Sequence, residues 1–210
     1  MNFIKRIPIF FFSALFPFKI YGKENIPEGK ALLVSNHFHA CDCGIIAKIY
    51  HKDIFFLAKK ELFSKKIVSK LIKAYGGIPI DRDNPDISSL LSAIRVLRDG
   101  HKLALFPEGT RNKTGGTELQ PIKGGAMVMA VKAKSPIVPI MIERKIRFLR
   151  RIRVIVGKPF ELNEFYGVKL TDEVISQMEK IVYDKMVEQQ TILTNMINSK
   201  KGVKNESNSR

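Results

Sequence analysis

The chain reads as an α/β domain with a central mixed, largely parallel sheet flanked by helices. Three observations predict it. From residue 30 onward, short β-branched and aliphatic runs recur. Helical patterns lie between them, the alternation expected of a sheet whose strands are joined by crossing helices. With 210 residues, 45% hydrophobic and 27% charged, the chain is long enough for a sizeable core. That composition excludes both wholesale disorder and a polytopic membrane protein.

The first twenty residues, MNFIKRIPIFFFSALFPFKI, hold six of the fourteen Phe and carry no charge between Arg6 and Lys19. Those twelve uncharged residues would span about 18 Å as a helix, short of a hydrocarbon core of ~30 Å. Pro8 and Pro17 interrupt the run, and no small-x-small cleavage site follows it. Residues 1–20 are therefore expected to lie in a membrane interface, with Phe among the acyl chains and Lys5, Arg6 and Lys19 at the headgroups. The competing expectation is that these Phe pack on the domain's own core.

Strands are predicted at Ala31 to Val34, Ile54 to Leu57, Ile78 to Ile80, Leu103 to Phe106, Ile137 to Ile142 and Ile152 to Val156. Glu61 to Ala74 is predicted as a helix, with Gly76-Gly77 allowing the turn into the next strand. Asp86 is placed as the N-cap of a helix carrying Ile87, Leu90, Leu91, Ile94 and Leu97, with Gly100 as its stop. Another helix is expected over Gly124 to Lys132. The last starts near Thr171 and aligns Val174, Met178, Ile181, Val182, Met186 and Leu193. From Ser199 only Val203 is apolar, so residues 199–210 are expected to be a disordered tail after a domain spanning 21–198.

Thirty-six Lys and Arg against twenty Asp and Glu leave a net charge of +16, which calls for an anionic partner. Cys41 and Cys43, one residue apart, are poorly spaced for a bridge; free thiols and a reducing compartment follow.

Ligands of α/β domains gather where strands end. After the first predicted strand comes SNHFHACD, with His37 and Asp42 five residues apart, a spacing that a loop or loop-to-helix turn can close. A carboxylate that holds an imidazole fixes its tautomer and stabilises the imidazolium, which suits His37 as a general base. The fourth strand runs into FPEGTRN, where Arg111 offers a bidentate fork to phosphate. Arg82 follows the third strand, and Lys123 precedes Gly124-Gly125 at a helix start.

The ordered set SNHFHACD, GGIPIDR, FPEGTRN and IVPIMI, with the lead-in YGKENIPEG and the stretch QPIKGGA, resembles the four blocks of the glycerolipid acyltransferase family over residues 21 to 160. The likeness is greatest to the 1-acylglycerol-3-phosphate (lysophosphatidate) O-acyltransferases. It implies transfer of a fatty acyl group from acyl-CoA or acyl-carrier protein to the free hydroxyl of a lysophospholipid, giving phosphatidic acid, with no further cofactor and no metal. Another lysolipid or glycerol 3-phosphate is the alternative acceptor. By the same resemblance His37 is the general base and Asp42 its partner. Arg82, Glu108, Gly109, Thr110 and Arg111 fall in the acceptor-binding blocks, Lys123 is a further phosphate candidate, and Pro139 belongs to the block associated with the acyl chain. Glu108 would accept from a glycerol hydroxyl or hold an arginine. Backbone N–H groups near the Gly109 turn are the expected oxyanion donors. Where the family often has a small hydroxyl residue two positions after the histidine, this chain has His39. The expected location is the cytoplasmic face of a cell membrane, peripheral or monotopic, against anionic lipid.

Two other functions compete. His37, His39, Cys41, Asp42 and Cys43 are all possible metal ligands, which would suit a metal-dependent hydrolase, but they crowd one seven-residue stretch. The basic run RKIRFLRRIRVIVGK could track nucleic-acid phosphates, yet no nucleic-acid-binding motif accompanies it. A face toward anionic lipid or an acidic carrier protein fits it better, and no nucleic-acid partner is expected.

Overall fold

The computed structural model describes residues 15–50, 54–74, 76–81, 87–114, 116–145 and 147–207. Seven strands form one sheet: β1 (Phe18–Tyr21), β2 (Ala31–Ser35), β3 (Ile54–Lys59), β4 (Gly77–Ile80), β5 (Lys102–Leu105), β6 (Ile137–Ile142) and β7 (Ile152–Val156). Their order is β1-β7-β6-β2-β5-β3-β4. Every pair is parallel except β6 with β7. The sheet is thus mixed and largely parallel, as the alternating pattern predicts.

Alternate residues of β2 serve two cores, because successive side chains of a strand point to opposite faces. Leu32 and Val34 join α3 (Ile87–Arg98), α4 (Gly125–Ala133) and α5 (Asp172–Ser207) on one face. Ala31 and Leu33 join Ile45, Ile46 and Ile49 of α1 (Asp42–Ile49) on the other, together with Phe16 and Phe18. α5 buries Met178, Val182, Met186 and Leu193, the stripe its sequence predicts. Thr171 caps it, its Oγ1 accepting the Val174 N–H at 3.4 Å.

Four departures from the sequence reading have physical causes. Phe18–Tyr21 is a strand, pairing Phe18 with Ile152, so the end of the expected interface segment belongs to the sheet. Residues 1–14 lie outside the described residues, as does the cap residue Asp86. The helix expected over Glu61 to Ala74 is split into a 3-10 turn, Lys60–Ser64, and α2 (Lys66–Ala74). There the Ser64 hydroxyl donates to Glu61 O at 2.7 Å, occupying the carbonyl that a continuing α-helix would offer to residue 65. In α3, Ile87 and Leu91 are exposed while Ser89 and Ala93 face inward. α5 continues to Ser207, past the expected start of the tail, since extending an existing helix fixes one residue per new hydrogen bond. Among the described residues no helix is long and apolar enough to cross a membrane.

Lys102 opens β5 almost fully buried. Its ammonium donates to Glu28 O and Gly29 O at 2.9 and 2.6 Å and sits 4.0 Å from the Tyr50 ring centre. These partners offset the cost of burying its charge, and they lie at the edge of the sheet where the parallel strands begin.

Candidate active site

The opposite edge, where β2 and β5 end, gathers the chemistry. Val34 pairs with Leu105, so the loops leaving these neighbouring strands emerge side by side. The first residue past β2 is tied down by its own side chain. Asn36 Nδ2 donates to Ile142 O at 2.9 Å, and its Oδ1 accepts the Ile142 N–H at 2.8 Å. The amide thus extends the β2–β6 pairing by one step and sets where His37 leaves the sheet.

His37 is only 8% exposed. Its Nδ1 lies 3.0 Å from Asp42 Oδ2. A carboxylate can only accept, so the proton sits on Nδ1 and the lone pair of Nε2 is left to act as a base. The same Oδ2 accepts the Phe38 and His39 N–H groups, each at 2.7 Å. Asp42 opens α1, where the helix dipole favours its negative charge. Among the described residues its Oδ1 is buried with no hydrogen-bond partner. The Phe106 ring stacks on the imidazole at 3.8 Å between centres and 12° between planes, which fixes the ring from its face.

Glu108 has a use that the sequence reading does not anticipate. Its Oε1 accepts the His37 N–H at 2.8 Å and its Oε2 accepts the Gln120 N–H at 3.3 Å, so it ties backbone to backbone. The return contact runs from Asn112 N–H to His37 O at 2.7 Å. Burial pushes the Glu108 carboxyl up to about 7, with Asp42 adding repulsion and the two backbone bonds opposing the rise.

That shift has a signed consequence. Because the folded pKa stands above the ordinary carboxylate value, the native state holds more protons than the unfolded chain between pH ~4.5 and ~7. Stability contributed at this site is therefore present at low pH and lost as pH rises through about 7. Glu108→Gln removes the charge at every pH, although its NH2 cannot accept the second of the two backbone N–H groups. In thermal melts its Tm relative to wild type should therefore rise between pH 5 and pH 8; a difference that does not change with pH would contradict the burial argument.

The remaining predicted residues are distributed unevenly. Gly109, at φ 72°, lies in the left-handed region, and its N–H donates to Phe106 O at 3.0 Å. This N–H is engaged by the turn and so is not among the free oxyanion donors. The Lys123 side chain lies over Gly109, where an added Cβ would come within 3.1 Å of its Cε, while the Lys123 N–H donates to Pro107 O at 2.9 Å. Arg111 and Thr110 are exposed, and Arg111 precedes the residue bonded to the His37 carbonyl. Arg82 lies outside the described residues. Pro139 is buried inside β6 opposite Val34, so it presents no surface at this edge. Phe106, Asn36 and Gln120 are missed by sequence reasoning; the one signal was the polar pair Ser35-Asn36 directly after the apolar run Ala31 to Val34.

His39 takes over a capping task. Its Nδ1 accepts the Cys41 N–H at 3.2 Å, a bond that a small hydroxyl residue can equally make. Both cysteines are free thiols. Burial and the neighbouring Asp42 push the Cys41 thiol up from its ordinary value, away from the thiolate that binds metals. Among the described residues no three His, Cys, Asp or Glu side chains are grouped to hold a metal ion.

Comparison with known proteins gives a consistent picture. The family model described as Acyltransferase matches residues 17–143. The chain is 28% identical to a 1-acyl-sn-glycerol-3-phosphate acyltransferase of Bacillus subtilis over 170 residues, covering 78% of this chain and 83% of that protein. Proteins of the same name from Streptococcus pneumoniae and Helicobacter pylori are 33% and 34% identical. The alignments cover 58% and 63% of this chain but only 46% and 54% of those proteins. The chain thus spans about half the length of these two relatives. Among solved structures, the 1-acyl-sn-glycerophosphate acyltransferase PlsC of Thermotoga maritima superposes with a TM-score of 0.62 at 25% identity, covering 82% of this chain and 72% of that one.

Proposed function

The chain belongs to the Acyltransferase family, and from that premise we propose that it acylates the free hydroxyl of 1-acylglycerol 3-phosphate, forming phosphatidic acid for phospholipid synthesis. The observation that carries the reading is the buried His37–Asp42 pair, 3.0 Å apart at the sheet edge, with Nε2 left as base. The names of the relatives support the choice of acceptor. The donor is a thioester, acyl-CoA or acyl-carrier protein.

The chemistry balances without an acyl-enzyme. As the acceptor oxygen attacks the thioester carbon, Nε2 of His37 takes its proton; the C–S bond then breaks and the imidazolium returns the proton to the departing thiolate. Asp42 offsets the imidazolium charge while it lasts. Arg111 and Lys123 hold the acceptor phosphate, which places its hydroxyl against His37, so phosphate binding serves turnover as well as affinity. Arg82 is a third candidate for this clamp.

Purified protein incubated with labelled acyl-CoA or acyl-carrier protein and a panel of lysolipids plus glycerol 3-phosphate tests the reading. Labelled phosphatidic acid is the expected product. Transfer to other acceptors with none to lysophosphatidate would overturn it. Arg111→Ala should lower kcat/KM for lysophosphatidate about 10–100-fold, mainly through KM. With monoacylglycerol, which has no phosphate to lose, variant and wild type should be nearly equal.

A further inference from the structure

We propose that the lysine row along α2 is a docking surface for an acidic acyl-carrier protein, which meets the domain on this flank and extends its thioester round to His37. The surface presupposes the thioester donor of the proposed reaction and says which of the two donors this chain is built to receive. Between Ile54 and Asp81 the sequence holds six lysines and a single acidic residue, Glu61. Lys59 lies 3.3 Å from Glu61, so those two charges cancel. Lys60, Lys65, Lys66, Lys70 and Lys73 are all exposed, and among the described residues none of them makes an ion pair.

α5 supplies the contrast. Its surface lysines meet carboxylates one turn on, Lys180 with Asp184 at 2.7 Å and Lys185 with Glu188 at 3.2 Å. On α2 the corresponding neighbours, Lys66 and Lys70, carry the same sign, which costs the helix stability. A row of cations that repel one another is relieved by a partner that brings the missing carboxylates.

Geometry selects that partner. At about 100° per residue, Lys66, Lys70 and Lys73 fall within roughly 60° of one another, and at ~1.5 Å per residue they cover about 10 Å of one helix face. Val68, Ser69 and Ile72 turn inward, and Ile72 packs so closely on Gly77 of β4 that a Cβ there would overlap it. The lysine row is therefore the convex outside of the helix, whereas the nucleotide of CoA calls for a concave site. A bilayer does not match it either. α2 leaves the end of β3 and runs back to the start of β4, so a plane laid on the edge where the strands end would reach Lys66 and leave Lys73 about 10 Å behind. An acidic protein surface meets the whole row.

The flank lies within reach of the chemistry. β3 stands two strands from β2, about 10 Å at ~4.8 Å per spacing. A phosphopantetheine arm, about thirteen bonds from phosphorus to sulfur, spans roughly 15 Å by the reach of an extended chain.

The test compares palmitoyl-acyl-carrier protein with palmitoyl-CoA as donors, using full-length protein and lysophosphatidate. Lys66→Glu/Lys70→Glu/Lys73→Glu should raise KM for the carrier donor about tenfold or more. Its kcat and KM with palmitoyl-CoA should stay at the wild-type values, which also reports an intact fold. Wild-type KM for the carrier should rise with salt, and that of the variant should not. Lys23→Glu/Lys158→Glu/Lys169→Glu, an equal change of net charge on exposed lysines elsewhere, should leave both donors unaffected. Carrier use unchanged in the α2 variant overturns the proposal, as does equal loss with both donors, equal loss in the two triple variants, or a wild type that accepts only palmitoyl-CoA. Loss of vesicle binding in the α2 variant with carrier use intact overturns it too and gives the row to lipid. Wild type that binds carrier protein through α2 yet transfers from neither donor would instead sink the proposed reaction and leave the docking surface standing.

Discussion

His37→Ala is expected to reduce acyl transfer roughly 10²–10⁴-fold, the usual worth of a positioned general base. The loss should fall on kcat, because Nε2 acts in the chemical step, taking the hydroxyl proton and returning it to the departing thiolate. The fold should survive: the two bonds that hold residue 37 in place, from its N–H to Glu108 and from Asn112 N–H to its carbonyl, are made by backbone atoms that alanine keeps. Initial rates of phosphatidic acid formation, measured beside a circular dichroism spectrum, would check both halves. A folded variant turning over at the wild-type rate would remove the base from the mechanism.

Asp42 is expected to matter almost as much, and in two separable ways. Alanine leaves the Phe38 and His39 N–H groups without their acceptor, costing about 1–3 kcal/mol for each donor left buried, and frees the imidazole to rotate. Asp42→Ala should therefore lose stability and activity together. Asparagine is the more informative change. All three bonds converge on Oδ2, and Oδ1 has no partner among the described residues. An amide can keep its oxygen on the three donors with its NH2 in the place of Oδ1, retaining the geometry while removing the charge that offsets the imidazolium. Asp42→Asn should thus melt closer to wild type than Asp42→Ala does, yet remain impaired in kcat. Equal activity of Asp42→Asn and wild type would show that the charge is dispensable.

The placement of Glu108 illustrates where sequence reasoning stops. The strand before it, the turn-forming Pro107 and Gly109, and the carboxylate at a strand exit were all legible. What the carboxylate binds was not, because its partner is the backbone N–H of residue 37, 71 positions away. A main-chain donor has no signature in residue identity. The Phe18–Tyr21 strand was hidden differently: the composition that suits an apolar interface segment also suits a half-buried edge strand, and only the pairing of Phe18 with Ile152 separates them.

By itself the sequence determined the alternation of strands and helices, the limits of β6 and β7, the apolar stripe of α5 and the five-residue spacing of His37 and Asp42. These are local properties, written in periodicity and in contacts between near neighbours along the chain. Tertiary structure alone decided that β5 inserts between β2 and β3, and this brings Glu108, Phe106 and Asn112 against His37. It also decided that six of the nine large apolar side chains exposed among the described residues share one edge with that histidine. Strand order depends on the total burial of two opposite faces by helices distant in sequence, a sum over the whole chain that no single segment contains.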